Sequence, residues 1–499
     1  MKAFERSSGL LLHPTSLPGR YGIGELGKMA YQWVDFLKKA SQSIWQILPL
    51  GPTGYGNSPY QTVSVFAGNP LMIDLTLLVE WGYLPDHYLE NIPRFPEGKV
   101  DYDTVIAWKI PLLLETYERY QDKANPEEKK AFEAFCEKHN SEWLDDFSLF
   151  LALKNHFGGK SWHTWDASIK HREPKALEHW KEKLSESVQA QKFLQYLFFK
   201  QWEALKKYAN EQGVFIFGDI PIYVTYDSAD VWAHQELFSL DEQGLPTHVA
   251  GVPPDYFSKT GQLWGNPLYN WDAMRENDYQ WWKQRIRLML EMVDLFRIDH
   301  FRGFEGYWAV PFGNKTAEHG EWMKGPGAEF FQSLLETFGR LPVVVEDLGI
   351  ITPEVEALRD QFGFPGMKIL QFAFDSGPKN PFLPHNFDKN CVVYTGSHDN
   401  DTTVGWFAKA RPNEREYCLK YLGGKKEDIA WQFIRLALSS TAMLSIFPVQ
   451  DILSLGSEAR MNLPGEANGN WTWRLKENQL RDEHASRLAE LCEIYGRAR

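Results

Sequence analysis

Residues 296–308 read FRIDHFRGFEGYW, and the apolar run MVDLF (292–296) leads into them. Arg297, Asp299 and His300 therefore stand at the end of a segment that reads as a buried strand. Burying charge is costly unless the charges are paired. Residues two apart along a strand share a face, so Arg297 and Asp299 can pair. Such a strand either satisfies its charges in a core or delivers them to a site.

Seven further runs share this character: GLLLH (9–13), IWQILPL (44–50), VFIFGDI (214–220), VVVED (343–347), KILQFAF (368–374), VVYTGSHD (392–399) and LSIFPVQD (444–451). With MVDLFRID (292–299) they make eight. Most are nearly continuous in apolar residues, as parallel strands covered on both faces are. Amphipathic segments lie between several of them. KMAYQWVDFLKKA follows the first, and TPEVEALRDQFG follows the fifth, with Thr352 at the N-cap, Pro353 at the first helical position and Gly363 as a stop. Strand and helix alternating eight times predict an α/β fold, a (β/α)8 TIM barrel. Such a barrel needs about 250 residues, so roughly half of the 499-residue chain is inserted. The insertions fall at about 84–205, mostly helical in pattern, and about 225–285, rich in Gly, Pro and aromatics. No repeat or linker divides the chain, and 1–499 reads as a single catalytic barrel domain.

The formal charge is −13 and no polybasic block occurs, which argues against nucleic acid and anionic membranes as partners. No apolar run approaches the roughly 20 residues that span a bilayer, and the N-terminus lacks a signal-peptide core. Cys136, Cys391, Cys418 and Cys492 lie far apart with no zinc spacing. Reduced thiols in a cytoplasmic protein are the expectation. GPTGYG (51–56) lacks the Gly-Lys-Ser/Thr ending of a phosphate loop. No cofactor and no metal site are expected, and monomer and homodimer both stay open.

The strand ends carry the chemistry. Asp219 ends the third run, Asp299 the fourth, Glu346 the fifth, and His398 and Asp399 the seventh. A barrel brings the C-terminal ends of its strands to one face. One such Asp is often only a cap or turn residue; four in order point to a site. Several carboxylates around one cleft suit glycosyl transfer: one attacks the anomeric carbon while a second, protonated, serves the leaving oxygen. Asp299, oriented by Arg297, suits the nucleophile. Glu346 follows three valines, and an apolar setting suits the acid.

FRIDHFRGF, VVVEDLG and TGSHDND resemble motifs of the α-amylase clan of retaining glycosidases and transglycosidases, and FGDIPIYV resembles a fourth. SGLLLHPTSLPG (8–19), LPLGPTGYGNSPYQ (48–61), AGVPPDYFSKTGQLWGNPLY (250–269), EDLGIITPEVEALRDQFGFPGMKILQFAF (346–374) and GSEARMNLPG (456–465) are similar to the amylomaltase family of 4-α-glucanotransferases. The resemblance runs from about residue 8 to residue 474. It implies Asp299 as nucleophile, Glu346 as acid/base and Asp399 as the third carboxylate, which binds and distorts the donor sugar. It implies that Arg297, His300 and His398 hold that sugar and that Asp219 supports it. Asp255 and Trp264 would lie in a loop closing over the cleft, Tyr60 would stack on an acceptor sugar with its hydroxyl in water, and Asn462 would contact substrate. The partners it implies are α-1,4-glucans and maltooligosaccharides, with glucose as an acceptor, and no C-terminal β-sandwich is expected. An amylase-like hydrolase is the alternative within the same chemistry. A catalytically dead glucan-binding protein is disfavoured by the intact carboxylates.

Overall fold

The computed structural model describes residues 5–254, 258–424, 426–466 and 468–498. In chain order its strands are β1 (Ser7–Leu11), β2 (Ile44–Gln46), β3 (Phe215–Ile220), β4 (His248–Val252), β5 (Gln262–Pro267), β6 (Leu295–Ile298), β7 (Gly306–Pro311), β8 (Glu321–Lys324), β9 (Val343–Val345), β10 (Gly366–Ile369), β11 (Cys391–Tyr394) and β12 (Leu444–Pro448). Eight of them form a parallel sheet in the order β10-β11-β12-β1-β2-β3-β6-β9. The two end strands, β9 and β10, meet: the Val345 N–H donates to Pro365 O at 2.9 Å, and the Met367 N–H donates to Asp347 Oδ1 at 2.8 Å. The sheet is therefore nearly closed into the (β/α)8 barrel that the eight runs predict, and each run supplies one strand.

Alternation along each strand separates inside from outside. Ile44, Phe217, Leu295, Val344, Met367, Val392 and Leu444 form one buried cluster, the barrel interior. Their strand neighbours Trp45, Ile216, Phe296, Val343, Val345 and Val393 belong to the other large core, beneath the helices. Helix Lys28–Lys39 shows why the segments between strands fold as they do: Ala30, Trp33, Val34 and Leu37 are its buried residues, the i, i+3, i+4, i+7 stripe of a helix against a sheet. Pro353–Gln361 begins after Thr352 and ends before Gly363, whose φ of +64° is in the left-handed region.

Between β2 and β3 lie helices Tyr102–Lys123, Pro126–His139, Asp145–His156 and Pro174–Lys183, then the long Ser185–Glu211, which runs directly into β3. The 225–285 stretch, rich in Gly, Pro and aromatics, carries β4 and β5, which join β7 and β8 in an antiparallel sheet of order β5-β4-β7-β8. The pairing partners lie on either side of β6 in sequence, so no local pattern announces them. The KILQFAF run is strand only to Ile369; Leu370–Phe372 is a 3-10 turn.

A buried ion pair ties the helical segment to the barrel. Lys109, on helix Tyr102–Lys123, donates to Glu25 Oε1 and, at 2.8 Å, to Leu71 O; both charged side chains are nearly inaccessible. Removing one member strands the other. Lys109→Met should lower unfolding stability by about 3–5 kcal/mol, read by denaturant titration. Adding Glu25→Gln should restore much of that loss; an unchanged double mutant would mean that the pair is not what the segment rests on.

Candidate active site

The site starts from a register. β3 and β6 are neighbours with Asp219 opposite Arg297, and both point into the barrel above its apolar interior. Arg297 is 3% exposed and Asp219 1%. The guanidinium donates from Nη1 to Asp219 Oδ2 at 2.6 Å and from Nη2 to Asp299 Oδ1 at 2.5 Å, and its Nε lies 3.3 Å from Met367 Sδ. Burial opposes the cation, but the two carboxylates outweigh it and hold the Arg297 pKa well above the ordinary value. Burial pushes Asp219 up to about 6, with Arg297 pulling the other way. Each nitrogen of the Arg297 guanidinium thus meets a protein atom, and two of the three meet carboxylates.

β6 and β9 bring the next pair together. The Glu346 N–H donates to Ile298 O at 2.9 Å, and beyond Asp299 the chain turns through His300 at φ +51°. That turn aims the His300 N–H at Glu346 Oε2 (2.9 Å), while the Leu348 N–H meets Oε1 (2.9 Å). The carboxyl of Glu346 is therefore fixed by backbone at the end of β9, in a less apolar setting than three preceding valines suggest. Burial, and then the neighbouring Asp299 charge, push it up to about 8. Burial lowers His300 to about 4, so its imidazole is neutral at pH 7. The Trp264 ring meets His300 edge-on, centroids 4.7 Å apart.

The third carboxylate follows β11. Asp399 accepts from Asn462 Nδ2 at 2.6 Å and faces His398 Nε2 at 3.4 Å. Partial burial works against its charge, yet His398, Asn462 and Arg297 together hold its pKa well below the usual carboxylate range. His398 is raised in turn: burial disfavours its cation, but Asp399 prevails. Tyr60 departs from expectation. Its ring stacks on His398 (5.1 Å, 17°), and its hydroxyl, expected in water, donates to Asp219 Oδ2 at 2.8 Å. These contacts join Tyr60 to the Asp219–His398–Asp399 group. Asp255 lies outside the described residues.

Two residues of the cluster escaped the sequence reading. Arg460 donates to the backbone oxygens of Asp399 (2.6 Å) and Asn462 (2.7 Å), stapling the late loop to the end of β11. Trp471 packs against both Tyr60 and His398, in a left-handed backbone conformation at φ +62°. Arg460 lies inside GSEARMNLPG (456–465), but nothing local marks an arginine as a backbone clamp. Trp471 stands in GNWTW, a Gly-rich segment with no period to read.

A parallel barrel whose C-terminal face gathers three carboxylates, two histidines and flanking aromatic rings is the architecture of an enzyme. Comparison with known proteins gives the family. The family profile described as 4-alpha-glucanotransferase matches residues 12–480. The 4-alpha-glucanotransferase of Thermus thermophilus is 54% identical over 496 residues, covering 98% of each chain. That of Synechocystis sp. is also 54% identical, over 99% of this chain and 98% of the relative. The amylomaltase of Streptococcus agalactiae, solved in complex with acarbose, superposes with a TM-score of 0.96 at 39% identity, covering 99% of this chain and all of that one. The chain belongs to the 4-alpha-glucanotransferase family, a family of glycosyl-transferring enzymes.

The raised Glu346 carboxyl has a kinetic consequence. Protonated, it can donate; its protonated fraction falls as pH rises past about 8. kcat/KM on a glucan donor should therefore decline about tenfold per pH unit above that point. Asp399, held low, sets no acid limb in the weakly acidic range. A profile that falls already between pH 5 and 6 on its alkaline side would contradict this electrostatic picture.

Proposed function

We propose that this transferase moves a segment of an α-1,4-glucan to the 4-hydroxyl of another α-1,4-glucan, a maltooligosaccharide or glucose, by a retaining double displacement. The observation that carries this reading is the pair of differently held carboxyls: Asp299 fixed by a buried guanidinium, and Glu346 pushed up to about 8 beside it. Two carboxyls with opposed environments are the means by which one site provides a nucleophile and an acid.

Asp299, held by Arg297 through Oδ1, attacks C1 of the donor sugar with its other oxygen. The C1–O4 bond breaks, and the proton of Glu346 passes to the departing O4. A glucosyl ester on Asp299 remains, with Glu346 now ionised. The 4-hydroxyl of an acceptor then gives its proton to Glu346 while its oxygen attacks C1, which frees Asp299. Asp399, a durable anion flanked by His398 and Asn462, accepts hydrogen bonds from hydroxyls of the donor sugar. Tyr60 and His398 present stacked rings to the same sugar. Arg297 and Asp219 act from beneath, as positioning residues.

Transfer outruns hydrolysis where acceptor sugar displaces water around the intermediate. We assign that exclusion to Trp264, whose ring meets His300 edge-on. The relatives' printed names, glucanotransferase and amylomaltase, support transfer over hydrolysis. No helix among the described residues is long and apolar enough to cross a membrane, and the four cysteines are free; we place the enzyme in the cytoplasm. Incubation with pure maltotriose separates the two chemistries. Transfer yields glucose together with oligomers longer than maltotriose, resolved by chromatography. Glucose and maltose as sole products would leave an amylase-like hydrolase.

A further inference from the structure

We propose that Trp322, on edge strand β8, is a stacking platform for a glucan chain outside the catalytic cleft, on the Glu346 side of the site; this rests on the glucan-transfer reading. All four residues of β8 are exposed, and Trp322 is 47% exposed. Its ring is nonetheless fixed. Trp308 lies opposite it in the β7–β8 ladder, and the two rings meet at 5.3 Å and 63°. Trp308 is itself held by its Nε1–H bond to Ala317 O at 2.9 Å. Behind Trp322 sits the buried guanidinium of Arg302, 4.1 Å from the ring centroid. One face of the indole is thus backed by a cation and the side chain is braced at its edge, leaving aromatic surface in water. A ring held in place loses little freedom when something stacks on it.

Its location ties it to the reaction. Arg302 follows Asp299 by three residues and donates to the backbone oxygen of Ile350, which follows Glu346 by four. Ile350 is itself 50% exposed. Trp322, Arg302 and Ile350 therefore rim the same strand ends that carry the two carboxyls. Glu346 meets the departing and the incoming glucan, so a chain long enough to leave the cleft on that side passes this rim.

The chemistry of the patch selects the occupant. The C–H face of a pyranose packs on an indole face, and Lys324, two residues along β8 and so on the same face, can meet its hydroxyls. A second copy of this chain is a poorer fit. A stable protein interface buries about 1,600 Å² with an apolar centre, whereas here charged residues flank a narrow apolar strip. Charges on an edge strand also discourage strand-to-strand pairing.

The test compares donors of two lengths in Trp322→Ala and Trp322→Phe. A stacked ring contributes enough that kcat/KM for maltoheptaose or amylose should fall about three- to tenfold in Trp322→Ala. The loss should appear in KM, while maltotriose, too short to reach the rim, keeps its wild-type constants. Trp322→Phe should recover most of the loss. Equal change with both donors, or none with the long one, overturns the platform. So does a wild-type dimer that falls to monomer in Trp322→Ala by sedimentation, which would make the patch an interface between copies. Calorimetric titration of maltoheptaose into Glu346→Gln, with and without Trp322→Ala, reads the platform apart from turnover. Should the wild type fail to disproportionate maltotriose while this titration still shows weaker binding in the double variant, the transfer reading fails and the platform stands.

Discussion

A guanidinium sealed inside a barrel has to find anions, and at Arg297 it finds two. Asp219 comes from the neighbouring strand, and Asp299 from two residues further along its own. Losing either partner would leave a buried charge uncompensated, at a cost of several kcal/mol (about 3–5 by analogy with other buried pairs). The triad therefore fixes which face of β3 and β6 points inward, since a one-residue slip would send every side chain to the opposite face. It also fixes where Asp299 sits before any substrate arrives.

The rest of the site builds upward from that layer. Below it, Phe217, Leu295, Val344 and Met367 fill the barrel. Above it, Tyr60 reaches down to Asp219 and lays its ring on His398, which binds the 48–61 loop to the end of β11. Arg460 fastens the late loop to Asp399 from the other side. The left-handed turn at His300 lends a backbone N–H to Glu346. Preorganisation of this sort places charge and hydrogen-bond donors where the reaction needs them without reorganisation at the moment of transfer.

Much of this was legible in the residues. Near-continuous apolar runs locate all eight barrel strands, because burial on both faces leaves parallel strands little choice of composition. The Arg297–Asp299 pair follows from period two alone. What stayed hidden is non-local. The small sheet joins β4 and β5 to β7 and β8 across an intervening barrel strand, so no single segment carries its signature. Arg460 and Trp471 act through backbone oxygens and ring packing, which composition does not encode. Tyr60 could be read as a binding tyrosine on a Gly/Pro-rich loop, but its bond to Asp219 spans 159 residues of chain and only the fold brings the two together.

The central claim is the division of labour between Asp299 and Glu346, and a trapped intermediate tests it most directly. A glycosyl fluoride donor carries a leaving group that needs no proton. Incubated with Glu346→Gln, it should load the enzyme with one glycosyl unit, because the attacking carboxylate and its guanidinium are intact while the base that would release the sugar is gone. Mass spectrometry of the digested protein should then find the added mass on the peptide carrying Asp299. Label on the peptide of Asp399, or a folded Glu346→Gln enzyme that takes up none, would contradict the account.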